Sequence, residues 1–145
     1  KGLGSPIYKK LDSHIAEGLM SINAVKGVEI GSGFETSSML GSDSNDEIFP
    51  LNKDNYYYKT NHAGGVLGGI STGEPLIARF AVKPTSSILI EKDTIDIKNN
   101  SVKLKTKGRH DPCVGIRAVP IAEAMFAIIL ADQLMIHEAQ IGAKI

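Results

Sequence analysis

Residues 124–131 read Ala-Met-Phe-Ala-Ile-Ile-Leu-Ala, eight consecutive apolar residues between Glu123 and Asp132. A membrane-spanning helix needs roughly 20 apolar residues, so this run is too short to be one. A helix that is apolar on every side in a protein core is buried on every side. We therefore expect a helix from near Pro120 to about His137 that lies between layers, with a β-sheet on each face.

A second helix is predicted near the start of the chain. Ser5 provides a hydroxyl N-cap, and Pro6 suits the first helical position, where a missing N–H costs nothing. We expect this helix to end before Gly27 and a short strand to follow at residues 28–30. The apolar side chains at helical spacing are Ile7, Leu11, Ile15, Leu19 and Ile22.

The middle of the chain predicts β-structure. A hairpin is expected from strands at residues 66–70 and 76–82 around a turn at residues 71–75. The stretch from Ile88 to Ile97 is rich in β-formers and interrupted at Lys92-Asp93.

Residues 35–60 are polar and lack periodicity over their first half, where serine, glycine, asparagine and aspartate dominate. We expect a long exposed loop there, variable in sequence. Tyr56-Tyr57-Tyr58 is expected to form a short strand at its end.

Composition restricts the functional classes. The 145 residues are enough for one domain, and Lys+Arg and Asp+Glu both number 16, so the formal charge is zero. Without a basic stripe or tryptophan, a nucleic-acid partner is not expected. The single Cys113 permits no intrachain disulfide and fits a reducing compartment. Because the chain begins with Lys1, we expect a fragment or a processed product.

A glycine cluster at residues 64–69 would allow a flat or phosphorylated ligand to approach the backbone closely. Its spacing is not that of a dinucleotide-binding fingerprint. A tightly packed hairpin explains the same glycines without a ligand, and the residues alone leave both interpretations open.

Residues 83–87, Lys-Pro-Thr-Ser-Ser, place a cation and hydroxyl groups at the end of a strand. Hydroxyl and backbone N–H groups suit a phosphate or the edge of a flavin. An ordinary polar turn is the alternative. Similarly, the side chain of Asn23 at a helix end would either contact a ring edge or cap the helix.

The segment Gly108-Arg109-His110-Asp111-Pro112-Cys113 concentrates reactive groups. Arg109 could hold a carboxylate or phosphate, Asp111 could act as a base, and His110 could titrate near neutrality. Three consecutive side chains of an extended segment cannot all face one way, so at least one is expected to be structural. No metal site is predicted, because His110 and Cys113 lack further ligands. The alternative is a solvated charged loop.

Four blocks together resemble the chorismate synthase family, and they occur in the family's order. They are residues 19–31 (LMSINAVKGVEIG), 61–70 (NHAGGVLGGI), 83–88 (KPTSSI) and 108–124 (GRHDPCVGIRAVPIAEA). The similarity covers most of the chain except residues 35–60 and 90–105.

The resemblance implies an enzyme that converts 5-enolpyruvylshikimate 3-phosphate into chorismate by 1,4-elimination of phosphate, the last step of the shikimate pathway. It implies an α+β fold, a β-α-β sandwich in which helices lie between antiparallel sheets. It also implies a requirement for reduced FMN, a cytoplasmic homotetramer, and no membrane partner. Some members also reduce their flavin with NADPH, and the sequence leaves that open here.

The resemblance also implies functional residues. Asp111 would assist removal of a proton from the substrate, and Arg109 would contact both flavin and substrate. The remaining flavin contacts would be Asn23, Ala24, Gly68, Lys83, Pro84, Thr85, Ser86 and Ser87. We expect Gly68, Thr85 and Arg109 to face one cleft.

Family members are more than twice this long, and their N-terminal half supplies two catalytic histidines. We therefore expect this chain, as the C-terminal portion, to lack elimination activity alone and to bind flavin weakly. A non-catalytic structural or oligomerisation module is the alternative, and an unrelated anion-binding domain is a weaker one.

Overall fold

A computed structural model describes residues 1–142. Within that range the chain forms two α-helices, α1 (Leu11–Ser21) and α2 (Gly115–Ile141), and a 3₁₀ turn at Gly33–Ser38. The strands form four antiparallel pairs, which with the helices confirm the α+β class. The eight strands are β1 (Val25–Ile30), β2 (Ile48–Pro50), β3 (Tyr56–Tyr58), β4 (Val66–Leu67), β5 (Ile70–Ser71), β6 (Ala78–Val82), β7 (Lys92–Ile95) and β8 (Ser101–Leu104).

The core is built on one face of α1. Leu11, Ile15 and Leu19 are at most 1% exposed and recur every four residues, as predicted from the apolar pattern. They pack against the β1–β6 sheet and one face of α2. Burial of this stripe stabilises the fold by removing apolar area from water.

The start of α1 differs from the prediction, because the helix begins at Leu11 and not at Pro6. Tyr8 has a φ of 62°, outside the helical region, and the N–H of Lys9 donates to the carbonyl of Ile7 at 2.7 Å in a tight turn. Ile7 is consequently 64% exposed instead of buried. The N–H of Leu11 donates to the carbonyl of Gly69 at 2.8 Å, which satisfies one of the free donors of the helix start.

The predicted hairpin is wrong in its pairing. Residues 66–70 do not form one strand, because Gly68 and Gly69 both have positive φ values, 58° and 87°, and turn the chain between β4 and β5. Two consecutive residues with positive φ form the tight turn that glycine favours in a two-residue hairpin. The strand expected to complete the hairpin, β6, pairs with β1 instead.

The two segments at residues 35–60 and 88–97 differ in part from the prediction. Residues 35–60 are mostly exposed, as expected, and Tyr56–Tyr58 is a strand, but it pairs with Ile48–Pro50 inside the presumed loop. β7 lies where an interruption at Lys92-Asp93 was expected, so that prediction is wrong. The hairpin turn after β7 is stabilised by Asp96, whose carboxylate accepts hydrogen bonds from the backbone N–H groups of Lys98 and Asn100.

Helix α2 is longer than predicted, and the expectation that it is buried on all sides is wrong for this chain. Only Ala118, Ala122 and Gln133 are buried, whereas Ile128 is 64% and Met135 is 69% exposed. One face packs against α1, and within residues 1–142 no second sheet covers the opposite face. By length and composition α2 could cross a membrane, although core helices of soluble proteins satisfy the same criterion.

We predict that Ile15→Ala destabilises the chain by about 2–5 kcal/mol, because it leaves a cavity under α1. Met20→Ala on the same helix is the matched control, since Met20 is 48% exposed. Its expected cost is within about 0.5 kcal/mol. Urea unfolding followed by circular dichroism measures both, and equal losses would contradict the assignment of the core.

Candidate functional site

The pairing of β1 with β6 brings two predicted site segments together. Val25 lies opposite Val82, and the N–H of Lys83 donates to the carbonyl of Ala24 at 2.8 Å. Ala24 has a φ of 71°, an unusual value for a residue with a side chain. The start of the 83–87 segment therefore lies beside the Asn23-Ala24 turn. The exposed side chain of Asn23 does not cap α1, whose C-terminal bond is the Ile22 N–H to the Leu19 carbonyl.

Two side-chain contacts join the 83–87 segment to the 108–113 segment. The hydroxyl of Thr85 donates to the main-chain carbonyl of Asp111 at 2.6 Å. Oγ of Ser87 lies 3.1 Å from Nδ1 of His110, which is within hydrogen-bonding distance. These contacts connect segments separated by the β7–β8 hairpin.

A polar cleft of about 530 Å³ opens at this junction. An adjoining concavity of about 630 Å³ shares most of its polar residues and adds an apolar wall from residues 88–90. Both volumes fall within the range of small-molecule sites. The residues that line the polar cleft are Thr85, Ser87, Arg109, His110, Asp111, Val114 and Arg117.

The polar cleft contains two guanidinium groups in different environments. Nε of Arg117 lies 3.2 Å from Oδ2 of Asp111, an ion pair in which the carboxylate side chain is 34% exposed. Arg109 makes no ion pair with any residue of the described range 1–142. An unpaired guanidinium at a cleft is suited to a carboxylate or phosphate ligand.

Arg117 was not among the residues predicted from the sequence. It lies in the first turn of α2, six positions after Asp111, in a stretch that the sequence alone assigned to the segment before the helix. Only the helix start at Gly115, five residues earlier than predicted, brings its side chain to the carboxylate. An arginine in the first turn of a helix has no sequence pattern that would have identified it.

Gly68 lies apart from the other predicted site residues. It belongs to the β4–β5 turn, whose Gly69 carbonyl contacts the first residue of α1, whereas Ala24 follows the last turn of that helix. The 11 residues of α1 span about 16 Å, so Gly68 and the polar cleft lie at opposite ends of the helix. The expectation that Gly68, Thr85 and Arg109 face one cleft does not hold within residues 1–142. As a flavin contact, Gly68 stays a prediction.

The glycine segment is anchored by Asp46, which the sequence assigned only to a variable loop. Its carboxylate accepts hydrogen bonds from the Thr60 hydroxyl at 2.6 Å and from the N–H groups of His62 and Ala63 at 2.8 and 2.9 Å. Partial burial alone would raise the pKa of Asp46, but these donors outweigh it and lower the pKa below its ordinary value.

We predict that Asp46→Asn lowers the stability of the protein at pH 7, because the ionised carboxylate is the better acceptor. The pKa of Asp46 is lower in the folded protein than in the unfolded chain, where it is about 3.9. The ionised carboxylate therefore stabilises the fold at pH values above about 3.9, and this contribution is lost as the pH falls through the folded-state pKa. The difference in the free energy of unfolding between wild type and variant should therefore become smaller below about pH 4. Urea unfolding at several pH values tests this, with exposed Asp54→Asn as control. A difference that persists unchanged at pH 2 would contradict it.

These elements define an α+β protein with a polar cleft at the ends of β6 and α2. Similarity to known proteins identifies the family. The chorismate synthase family matches residues 1–135. The chain belongs to that family, and it matches the C-terminal portion of the family's proteins.

The curated relatives agree in their names. Over 141 residues the chain is 62% identical to chorismate synthase of Rhodopseudomonas palustris (strain BisA53), which covers 97% of the chain and 39% of the relative. It is 58% identical to chorismate synthase of Acidiphilium cryptum (strain JF-5) over 97% of the chain and 38% of that protein. The chain thus spans about two fifths of the length of these relatives.

A solved structure supports the fold. A crystal structure of chorismate synthase superimposes with a TM-score of 0.74 at 35% identity, covering 98% of this chain and 35% of that one. This match confirms the fold class inferred from the sequence.

Proposed function

We propose that the chain is the C-terminal part of a cytoplasmic lyase that eliminates phosphate from 5-enolpyruvylshikimate 3-phosphate to form chorismate. Family membership over residues 1–135 is the observation that carries the proposal. The reaction removes a proton and a phosphate group from one small molecule, so the protein must bind an anion and accept a proton. Nucleic acid has no part in it.

Asp111 is suited to the proton-accepting role. Its Oδ2 is engaged by Arg117, and its Oδ1 has no hydrogen-bond partner within residues 1–142. That oxygen is available to a ligand in the polar cleft. Arg109, free of an ion pair in the same part of the chain, is suited to an anionic group of the substrate or of a cofactor.

The donors around the polar cleft also fit FMN. The hydroxyl groups of Thr85 and Ser87 and the Arg109 guanidinium can contact phosphate or ring edges, and Ile88–Ile90 offer an apolar wall. The further residues proposed to hold the flavin at this cleft are Asn23, Ala24, Lys83, Pro84 and Ser86. Gly68, which lies away from the cleft, stays a predicted flavin contact. Reduced FMN, when bound, would supply an electron-rich ring to a reaction that has no net redox change.

The chain spans about two fifths of the length of its relatives, so we do not assign the whole reaction to this chain alone. The proposal assigns the catalytic histidines, further substrate contacts and the homotetramer to the whole enzyme. The chain alone is proposed to lack elimination activity. Whether the whole enzyme uses NADPH to reduce its flavin is a separate property.

A second candidate function is a non-catalytic structural or oligomerisation module. One observation favours it: α2 exposes large apolar side chains, including Ile116 at 79% and Met135 at 69%. Exposed apolar surface of this kind promotes association. The two candidates differ in whether the chain binds a flavin.

Titration of oxidised FMN with the chain, followed by flavin fluorescence, separates the two candidates. We predict saturable quenching that is weakened at least about 10-fold by Arg109→Ala, because a charge-assisted contact is lost. Lys107→Ala is the matched control, since it removes one positive charge from the same segment outside the polar cleft. Equal effects of the two substitutions, or no saturable quenching, would favour the structural module.

A chimera tests the enzymatic proposal directly. This chain would replace the matching 39% of the Rhodopseudomonas palustris enzyme. We expect chorismate formation from the chimera and a loss of about 100-fold or more in kcat for Asp111→Asn, the range of general acid–base catalysis. Asp93→Asn, in the exposed β7–β8 hairpin, is the control. An inactive chimera that folds and assembles would contradict the proposal.

A further inference from the structure

We propose that Arg117 is the positioning residue for Asp111: its ion pair fixes the carboxylate in one orientation. The inference rests on the proposed function and assigns a role to a residue that the sequence did not single out. It starts from the ion pair between Nε of Arg117 and Oδ2 of Asp111, 3.2 Å apart.

The backbone of Arg117 is fixed by its place in α2. The next residue, Ala118, is 5% exposed, and its N–H donates to the carbonyl of Val114 at 3.0 Å. The first turn of α2 is thus held against the core while the Arg117 side chain reaches out to the polar cleft. A guanidinium extended from a fixed backbone gives the carboxylate a defined partner.

Asp111 is held at two points by two different segments. The Thr85 hydroxyl binds its main-chain carbonyl at 2.6 Å, and Arg117 binds one oxygen of its carboxylate. The other carboxylate oxygen, Oδ1, has no partner in the described part of the chain, as expected for a group that receives a proton. With one oxygen fixed, the remaining oxygen points in a restricted direction, which is what a base needs for proton transfer.

The charged side chains of the polar cleft are consistent with separate roles for Arg117 and Arg109. Two guanidinium groups and one carboxylate line the polar cleft. In the described residues Arg109 forms no ion pair, so an anion that binds it has no internal pair to break. The polar cleft has two guanidinium groups against one carboxylate, which favours an anionic ligand.

The test is a double-mutant cycle in the active chimera. We expect Arg117→Ala to lower kcat about 10- to 100-fold with KM changed less than twofold, because the base is misplaced and substrate binding is retained. Arg117→Lys should recover part of kcat, since an ammonium can still pair with the carboxylate. In an Asp111→Asn background, Arg117→Ala should cost nothing further, because the residue acts through Asp111.

A binding measurement complements the kinetics. FMN affinity of the chimera without substrate should stay within twofold in Arg117→Ala, whereas Arg109→Ala weakens it. Thermal unfolding should be unchanged, because the Arg117 side chain is 74% exposed. If Arg117→Ala does not fold, Arg117→Gln, which keeps most of the aliphatic stem, carries the same test.

Failure of the inference about Arg117 and failure of the proposed function give different results. An Arg117→Ala variant with wild-type kcat, with an additive loss in the Asp111→Asn background, or with FMN binding as weak as in Arg109→Ala overturns the proposal for Arg117 alone. An inactive wild-type chimera overturns the proposed function and this inference with it.

Discussion

One hydrogen bond, from the Thr85 hydroxyl to the main-chain carbonyl of Asp111, connects the two halves of the proposed site. The segment on one side is fixed by the β1–β6 pairing, which continues into the bond from the Lys83 N–H to the Ala24 carbonyl. The segment on the other side leads into α2. The Thr85 bond holds the main chain of Asp111 itself, and the contact between Ser87 and His110 is a second link between the same two segments.

The electrostatics of the polar cleft follow from this junction. Asp111 lies next to the first turn of α2. Its carboxylate therefore forms an ion pair with Arg117 on that helix and not with Arg109, two residues away in the sequence. The Arg117 side chain is 74% exposed, so this ion pair contributes little to stability. The face of α2 that points away from α1 exposes large apolar side chains.

The sequence predicted features that depend on local periodicity. The buried stripe of α1 followed from the spacing of Leu11, Ile15 and Leu19. The α+β class was implied by the resemblance of four sequence blocks to a known family. The start of α1 was missed because the positive φ of Tyr8 is a tertiary feature that no propensity indicates. Burial of α2 on all sides was wrong for residues 1–142, because an all-round apolar pattern does not reveal which faces of a helix are covered. Arg117 was missed because ion pairing depends on where α2 begins.

Backbone order parameters of residues 108–113, measured by NMR relaxation, test the central claim most directly. In Thr85→Val, which keeps the side-chain shape and removes the donor, the account predicts lower order parameters in that segment, with the β2–β3 hairpin unchanged as an internal reference. Thr85→Ser, which keeps the hydroxyl, should give the wild-type values. Equal order parameters in residues 108–113 for all three proteins would show that the Thr85 bond does not fix this segment.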